Sequence, residues 1–146
     1  MESTHMESNW SLHPQLAADT HPVGDLTLSR LLLAKDANYP WLILVPRRAD
    51  ISELIDLPPD AQRQLTDEIA RASQALKTIT ACDKLNIAAL GNMVAQLHVH
   101  VIARRRDDKA WPKPIWGATP PSDYTAEDRD RLITAVKQNL QLKDIV

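Results

Sequence analysis

Two histidines, His98 and His100, stand two positions apart in the apolar run QLHVHVI, residues 96–102. A β-strand directs alternate side chains to opposite faces, so we expect both imidazoles on one face together with Gln96. Neighbours on one face lie ~6.6–6.8 Å apart, a spacing suited to bracketing a group about the size of a phosphate chain. An isolated histidine is more often structural, but a strand that only fills a core has no need of paired imidazoles. The spacing therefore predicts a chemical site on this strand.

A metal site is the main alternative interpretation of the same two imidazoles. His98 and His100 supply two candidate zinc ligands, whereas a zinc site needs four protein ligands, or three protein ligands and a water. No ligand spacing connects them with the remaining candidates, which are His5, His13, His21 and Cys82. We therefore expect no metal and no other cofactor.

Composition restricts the class of protein. The chain has 146 residues, of which 44% are hydrophobic and 25% charged, values typical of a globular chain large enough for one domain with a real core. Its formal net charge is −2, whereas non-specific binding to a nucleic-acid backbone needs a strong basic excess. No nucleic-acid partner is expected, although a small anionic ligand in a local pocket remains possible.

Cysteine content and the lack of long apolar windows indicate the compartment. Cys82 is the single cysteine and has no internal disulfide partner, which fits a reducing cytosol. No window reaches the ~18 apolar residues of a membrane span. The first ten residues also lack the basic-then-apolar form of a signal peptide. We expect a cytoplasmic protein that does not contact membranes.

Hydrophobic periodicity and turn residues divide the chain into elements around the histidine strand. We predict a flexible tail over 1–9 and a single domain over 10–146, beginning with a helical turn over 14–18. Strands are predicted over 26–33, 41–45, 85–90 and 94–104, with a long helix that residues 58–60 open and that runs to about residue 80, and a last helix over 125–141. Residues 105–122, rich in charge, Pro and Trp, are predicted to form an ordered loop. Short turns between strands favour an α+β class with an antiparallel sheet of about five strands, helices on one side and a free face for a site.

The histidine strand resembles the signature of the histidine triad superfamily of nucleotide hydrolases and transferases. That signature is His-apolar-His-apolar-His-apolar-apolar, and the chain matches it at every position except Gln96, where the family has its first histidine. The resemblance implies a histidine-triad fold. It also implies that His98 attacks an α-phosphorus, giving a nucleotidyl-histidine that water later releases. His100 would donate hydrogen bonds to the non-bridging oxygens, and Gln96 would orient the substrate without carrying charge.

Other segments extend the resemblance over about residues 25–117. Asp36 follows a strand at the place where an acidic residue binds both ribose hydroxyls in nucleoside-binding members, a role that suits a bidentate acceptor. Gly91 and Asn92 occupy the family's phosphate-binding turn, with Met93 in place of a serine. Residues 45–54 match the family's strand-Pro-basic-basic pattern, but Pro40-Trp41 stands where the family has Gly-His or Thr-His.

Two further binding residues are suggested by the charged loop after the histidine strand. Arg104 and the cations that follow it at 105, 106 and 109 could reach distal phosphates, with a solvated charged surface as the alternative. Trp111, in a Trp-Pro pair similar to one near the end of short family members, could stack on a base, as could Trp116. In each case a merely structural role stays open.

The predicted function is a nucleotide-binding hydrolase or nucleotidyl transferase acting on dinucleoside polyphosphates or nucleoside phosphoramidates. The alternative is a catalytically weak nucleotide-binding protein that keeps the pocket, because Gln96 and Met93 replace groups that assist turnover. The resemblance further implies a homodimer joined edge to edge through the sheets, which would cover an exposed edge strand.

Overall fold

The computed structural model describes residues 9–142, which form three α-helices, a 3₁₀ turn and five strands. The helices are α1 (Pro14–Ala18), α2 (Pro59–Thr80) and α3 (Ala126–Leu140), and the 3₁₀ turn spans Leu54–Asp56. The strands are β1 (Thr20–Asp25), β2 (Ser29–Ala34), β3 (Trp41–Pro46), β4 (Lys84–Ala88) and β5 (Val99–Arg104).

The five strands form one sheet in the order β1-β2-β3-β5-β4, and every neighbouring pair is antiparallel. The predicted α+β fold with an antiparallel sheet is therefore confirmed. The histidine strand β5 lies inside the sheet, where His100 is opposite Ile43 of β3 and Ala88 of β4. Pairing on both sides holds the β5 backbone firmly, which gives the imidazole a fixed position.

Helices α2 and α3 cover one face of the sheet, and the pocket lies on the other face, where α1 also packs. On the helical face, alternate β2, β3 and β5 side chains such as Leu31, Leu42 and Val101 join the α2 and α3 residues Leu76 and Val136 in the main core. On the opposite face, the intervening residues pack against α1 and the segment before it; this second cluster includes Leu16, Leu32, Ala34, Ile43 and Val45. Strands buried on both faces account for the continuous apolar runs in the sequence.

The long helix α2 has the termini that the sequence predicts. It begins with Pro59 at the first helical position and Asp60 in the first turn, and it ends at Thr80 before Ala81, which adopts the left-handed conformation. On its buried side Glu68, fully inaccessible to solvent, accepts hydrogen bonds from the backbone N–H groups of Leu28 (2.8 Å) and Ser29 (2.9 Å). A carboxylate thus fixes the turn between β1 and β2.

Element boundaries differ from prediction where turns and prolines interrupt a pattern. Strand β1 was not predicted, because Pro22 and Gly24 break its alternation; they flank a bulge, which this edge strand tolerates. Strand β5 starts at Val99 and not at 94, since the Leu97 N–H donates to the Ile51 carbonyl, outside the ladder. Residues 105–122 contain no helix or strand. The tail predicted over 1–9 falls almost wholly outside the described residues.

None of the helices within residues 9–142 combines the length and apolar character that crossing a bilayer requires.

Candidate active site

The ring of His98, the residue immediately before β5, is oriented by a backbone carbonyl two residues earlier in the chain. Its Nδ1 lies 2.7 Å from the carbonyl oxygen of Gln96. A carbonyl only accepts hydrogen bonds, so Nδ1 carries a proton, and in the neutral imidazole the lone pair lies on Nε2. His98 is buried, yet it lines the pocket described below. The geometry therefore selects the Nδ1–H tautomer of the neutral ring, which leaves Nε2 as its lone-pair nitrogen.

The ring of His100 lies beside that of His98 and is enclosed by two tryptophans. The two imidazole centroids are 5.0 Å apart. Trp41 donates a 3.0 Å hydrogen bond from its indole Nε1 to Nδ1 of His100, and the Trp116 ring approaches edge-on at 5.1 Å. Burial, together with the neighbouring His98, lowers the pKa of His100 from 6.5 to about 4. His100 is therefore a neutral imidazole at physiological pH.

Both imidazoles open into a pocket of about 660 Å³ on the sheet face opposite α2 and α3. Its walls come from the α1–β1 segment, the end of β2, the start of β3, the turn after β4 and the loop before α3. The lining residues that matter below are Asp19, Lys35, Asp36, Trp41, Met93 and Trp116. A mostly apolar cleft lined by a few polar groups is typical of a small-molecule site.

Asp36 lines one side of the pocket, and hydrogen bonds from Asn38 and from the loop before α3 fix its carboxylate. Its Oδ1 accepts hydrogen bonds from the Asn38 N–H at 3.0 Å, the Asn38 amide at 2.7 Å and the Ser122 N–H at 3.4 Å. None of these bonds uses Oδ2. The carboxylate is thus buried, rigid and left with one oxygen for a ligand.

The turn between β4 and β5 forms the opposite wall. Gly91 adopts a left-handed conformation (φ 78°), in which a side chain is strained, and its backbone faces the pocket together with Asn92. Met93, the next residue, is 97% exposed. This wall therefore offers an amide and backbone groups, with a flexible thioether in the place of a hydroxyl.

Gln96 does not join the imidazoles in the pocket. Its side-chain Oε1 accepts the His13 N–H at 2.9 Å, and its Nε2 donates to the Ser11 carbonyl at 2.9 Å. The expected row of three side chains is therefore reduced to two, because Gln96 precedes the regular part of β5 and turns towards the segment before α1.

Arg104 and Trp111 also lie away from the pocket, which corrects their expected placement. Arg104 is 1% exposed, with its guanidinium bound to Asp108 at 2.7 and 3.0 Å and to Asn86 at 2.8 Å. The rings of Tyr39 and Trp111 flank the same guanidinium at 5.7 and 5.5 Å. This cluster joins the loop after β5 to the sheet, so both residues have structural contacts and neither lines the pocket.

The structure adds pocket residues that the sequence did not reveal. Trp41 and Lys35 are not recognisable as site residues from their types. Trp41 shares the face of its strand with Ile43, and Pro40-Trp41 in place of the family's Gly-His was the available signal. Of the two tryptophans considered for stacking, Trp116 lines the pocket and Trp111 does not.

No metal-binding cluster of three or more histidine, cysteine, aspartate or glutamate side chains occurs within residues 9–142. His13 caps α1 by accepting the Gln15 N–H, and His21 pairs with Asp123 at 3.1 Å. Cys82 is buried in the main core. The other candidate ligands in this part of the chain are thus engaged elsewhere.

An antiparallel sheet with one open face and two adjacent imidazoles in its pocket defines an α+β protein of the histidine triad type. The HIT domain family model matches residues 15–107, well over half of the chain. The chain belongs to the histidine triad family. This membership indicates a nucleotide-binding hydrolase or transferase as the kind of function.

Solved structures of histidine triad proteins agree with this assignment. One from Bradyrhizobium japonicum is 58% identical with a TM-score of 0.88, covering 89% of this chain and 97% of its own. One from Marinobacter aquaeolei is 44% identical (TM-score 0.88, covering 92% and 98%), and one from Sinorhizobium meliloti is 42% identical (TM-score 0.89, covering 92% and 99%). The comparison with curated proteins found no match.

Proposed function

We propose that the protein hydrolyses or transfers nucleotidyl groups through a covalent intermediate on His98. The observation that carries this proposal is the hydrogen bond from His98 Nδ1 to the Gln96 carbonyl, which leaves Nε2 as the lone-pair nitrogen of the neutral ring. An imidazole nitrogen of this kind is a competent nucleophile at neutral pH.

In the first step, a bond forms between His98 Nε2 and the α-phosphorus, the bond to the leaving group breaks, and the leaving group takes up a proton from solvent. The Gln96 carbonyl stabilises the positive charge on the ring through Nδ1–H. In the second step, water or another acceptor attacks phosphorus, the N–P bond breaks, and one proton is released. His98 returns to its neutral form, so that one turnover consumes one acceptor.

Charges in the pocket favour a short phosphate chain. The charged side chains that line it within the described residues, apart from the histidines, are Asp19, Lys35 and Asp36. The three arginines at the end of β5 and just after it have partners outside the pocket: Arg104 pairs with Asp108, Arg105 donates to the Thr80 carbonyl, and Arg106 pairs with Asp83. One lysine beside two carboxylates suits a single phosphate with an uncharged leaving group, as in a nucleoside phosphoramidate, better than a highly charged polyphosphate.

Asp36 is assigned to the ribose, and Gly91 and Asn92 to the phosphate. The free Oδ2 of Asp36 suits a hydroxyl donor, and a carboxylate there repels the phosphate and so orients the substrate. The backbone at Gly91 allows close approach of an oxyanion, and the Asn92 amide supplies a donor.

Rapid quenching with denaturant at neutral or alkaline pH tests the covalent step, because the N–P bond of a nucleotidyl-histidine is labile in acid. We expect radiolabel from an α-³²P nucleoside phosphoramidate to remain on the wild-type protein and on His21→Ala, whose histidine lies outside the pocket, and to be absent from His98→Ala. A panel of phosphoramidates and dinucleoside polyphosphates then ranks the leaving groups. Tight nucleotide binding without any adduct would instead support the alternative, a weakly catalytic nucleotide-binding protein. Two observations favour that alternative: the Gln96 side chain lies outside the pocket, and Met93 is exposed.

A homodimer is also part of this proposal. Strand β4 lies at the edge of the sheet, and Ile87 on that strand and Leu90 just after it are each 52% exposed. Pairing with a second copy would satisfy the free backbone groups of this edge and cover the aliphatic side chains. Sedimentation at micromolar concentration tests this: we expect a dimer mass for the wild type and a monomer for Ile87→Lys.

A further inference from the structure

The hydrogen bond between Trp41 and His100 has a directional consequence. An indole N–H only donates, so Nδ1 of His100 must present a lone pair to it at 3.0 Å. A neutral imidazole that accepts at Nδ1 carries its proton on Nε2. His98 has the opposite arrangement, because its Nδ1 faces a carbonyl.

We propose that Trp41 is a positioning residue that locks His100 in the Nε2–H form and keeps it neutral, so that the adjacent imidazoles hold opposite tautomers. The catalytic consequence of this inference rests on the proposed function: His98 then offers a lone pair for attack on phosphorus, and His100 offers an N–H donor to the phosphoryl oxygens. The tautomer itself is a property of the free protein.

Protonation of His100 conflicts with this contact. A proton on Nδ1 would point at the indole proton, so His100 could become imidazolium only by losing the hydrogen bond or rotating its ring. The ring has little room to rotate, because it is 5% exposed and lies between Trp41, at 5.6 Å between centroids, and Trp116, at 5.1 Å. The contact therefore restricts both the tautomer and the charge of His100.

Other groups around the pocket do not supply a counter-charge fixed on His100. His98 faces it from the position just before β5, and Trp41 and Trp116 face it from β3 and from the loop before α3. Asp19, Lys35 and Asp36 line the same pocket from the α1–β1 and β2 side, and no hydrogen bond joins any of these three described residues to the His100 ring. Burial and the neighbouring His98 lower the pKa of His100 in the same direction as the indole contact.

Two-bond ¹H–¹⁵N correlation spectra of the ligand-free protein test the proposal directly, with the ring signals assigned by their loss in His98→Gln and His100→Gln. In the wild type we expect Nδ1–H for His98 and Nε2–H for His100, with the His100 form unchanged from pH 8 to about pH 5. Observation of His100 as Nδ1–H, or as imidazolium at pH 6, would overturn the inference without any variant.

Trp41→Phe removes the N–H and keeps an aromatic ring. We expect the Nδ1–H tautomer of His100 to become populated and its pKa to rise by about one unit, the size expected for one lost hydrogen bond. Trp116→Phe is the matched control, since Trp116 contacts the same ring without donating to it; its His100 tautomer should equal that of the wild type. If both variants keep the wild-type tautomer and pKa, Trp41 only packs against His100.

Activity provides a separate measurement. On a phosphoramidate substrate, Trp41→Phe should lower kcat about tenfold with KM close to the wild-type value. The variant loses part of the Nε2–H form of His100, which donates to the phosphoryl oxygens in the transition state, and the rest of the pocket is kept. A wild type without turnover would contradict the proposed function, whereas the spectra would still decide the tautomer. A rise in KM with kcat unchanged would mean that Trp41 only contributes to substrate binding, and would contradict the positioning role.

Discussion

Gln96 joins the start of the histidine strand to the segment before the first helix: its Oε1 accepts the His13 N–H at 2.9 Å, and its Nε2 donates to the Ser11 carbonyl at 2.9 Å. The residue at the place of the family's first histidine is thus an anchor for a neighbouring segment. That segment continues into α1, where Leu16 lines the pocket. Gln96 consequently contacts the segment that leads into this wall of the pocket and not the pocket itself.

Gln96→Ala should loosen this segment and leave the imidazoles in place. Two hydrogen bonds of a half-buried side chain are lost, and we expect the free energy of unfolding to fall by about 1 kcal/mol. Amide exchange should accelerate over residues 11–19 and remain unchanged in β5. Gln96→Glu is the matched variant, because it keeps the acceptor for His13 and loses only the donor to Ser11. Unchanged exchange with a large loss of turnover would instead indicate that Gln96 contacts the substrate.

Asp36→Asn tests the ribose assignment. The Asn38 and Ser122 contacts keep an acceptor in this variant, whereas the charged oxygen towards the pocket is lost. We expect KM for a ribonucleotide substrate to rise roughly tenfold or more, as for a hydrogen bond to a charged group. The 2′-deoxy substrate is the internal control: it should bind the wild type more weakly and be affected little by the substitution. Equal effects on both substrates would contradict the assignment.

Arg104→Ala should reduce stability far more than substrate binding. Removing the guanidinium leaves the nearly buried Asp108 unpaired, and we expect the free energy of unfolding in urea to fall by roughly 3–5 kcal/mol. Lys109→Ala, an exposed cation of the same loop, should change it by less than about 0.5 kcal/mol. Measured at a temperature where Arg104→Ala is folded, KM should match the wild type. A selective rise in KM would restore Arg104 as a phosphate contact.

The pKa of His100, lowered by burial and by the neighbouring His98 from 6.5 to about 4, predicts a pH dependence of stability. Between these two values the unfolded chain binds a proton that the folded chain does not, so stability is lost as the pH falls from about 6.5 to about 4 and this contribution then levels off. We expect a slope of up to ~1.4 kcal/mol per pH unit from this one group. His100→Gln should lack that part of the slope in urea titrations at pH 7, 6, 5 and 4. Equal slopes for both proteins would show that His100 titrates normally.

Much of the fold followed from local patterns. Helix α2 was predictable over its full length because Pro59, Asp60 and the spacing of its apolar residues are all local signals. The alternation around His98 and His100 placed both imidazoles on one face, and Asp36 was predictable as a strand-terminal acid. These inferences succeed because side-chain direction in a strand and capping in a helix depend on near neighbours in the chain.

The amino-acid sequence by itself determined the antiparallel α+β class, the histidine pair and the site's acidic edge. Only the tertiary structure decided which neighbours those residues meet. Gln96 turns to a segment 83 residues earlier, Trp41 meets His100 across 59 residues, and the guanidinium of Arg104 is withdrawn into the packing of Tyr39 and Trp111. Such partners come from sheet order and loop packing, which bring distant residues together, and no local periodicity encodes that distance.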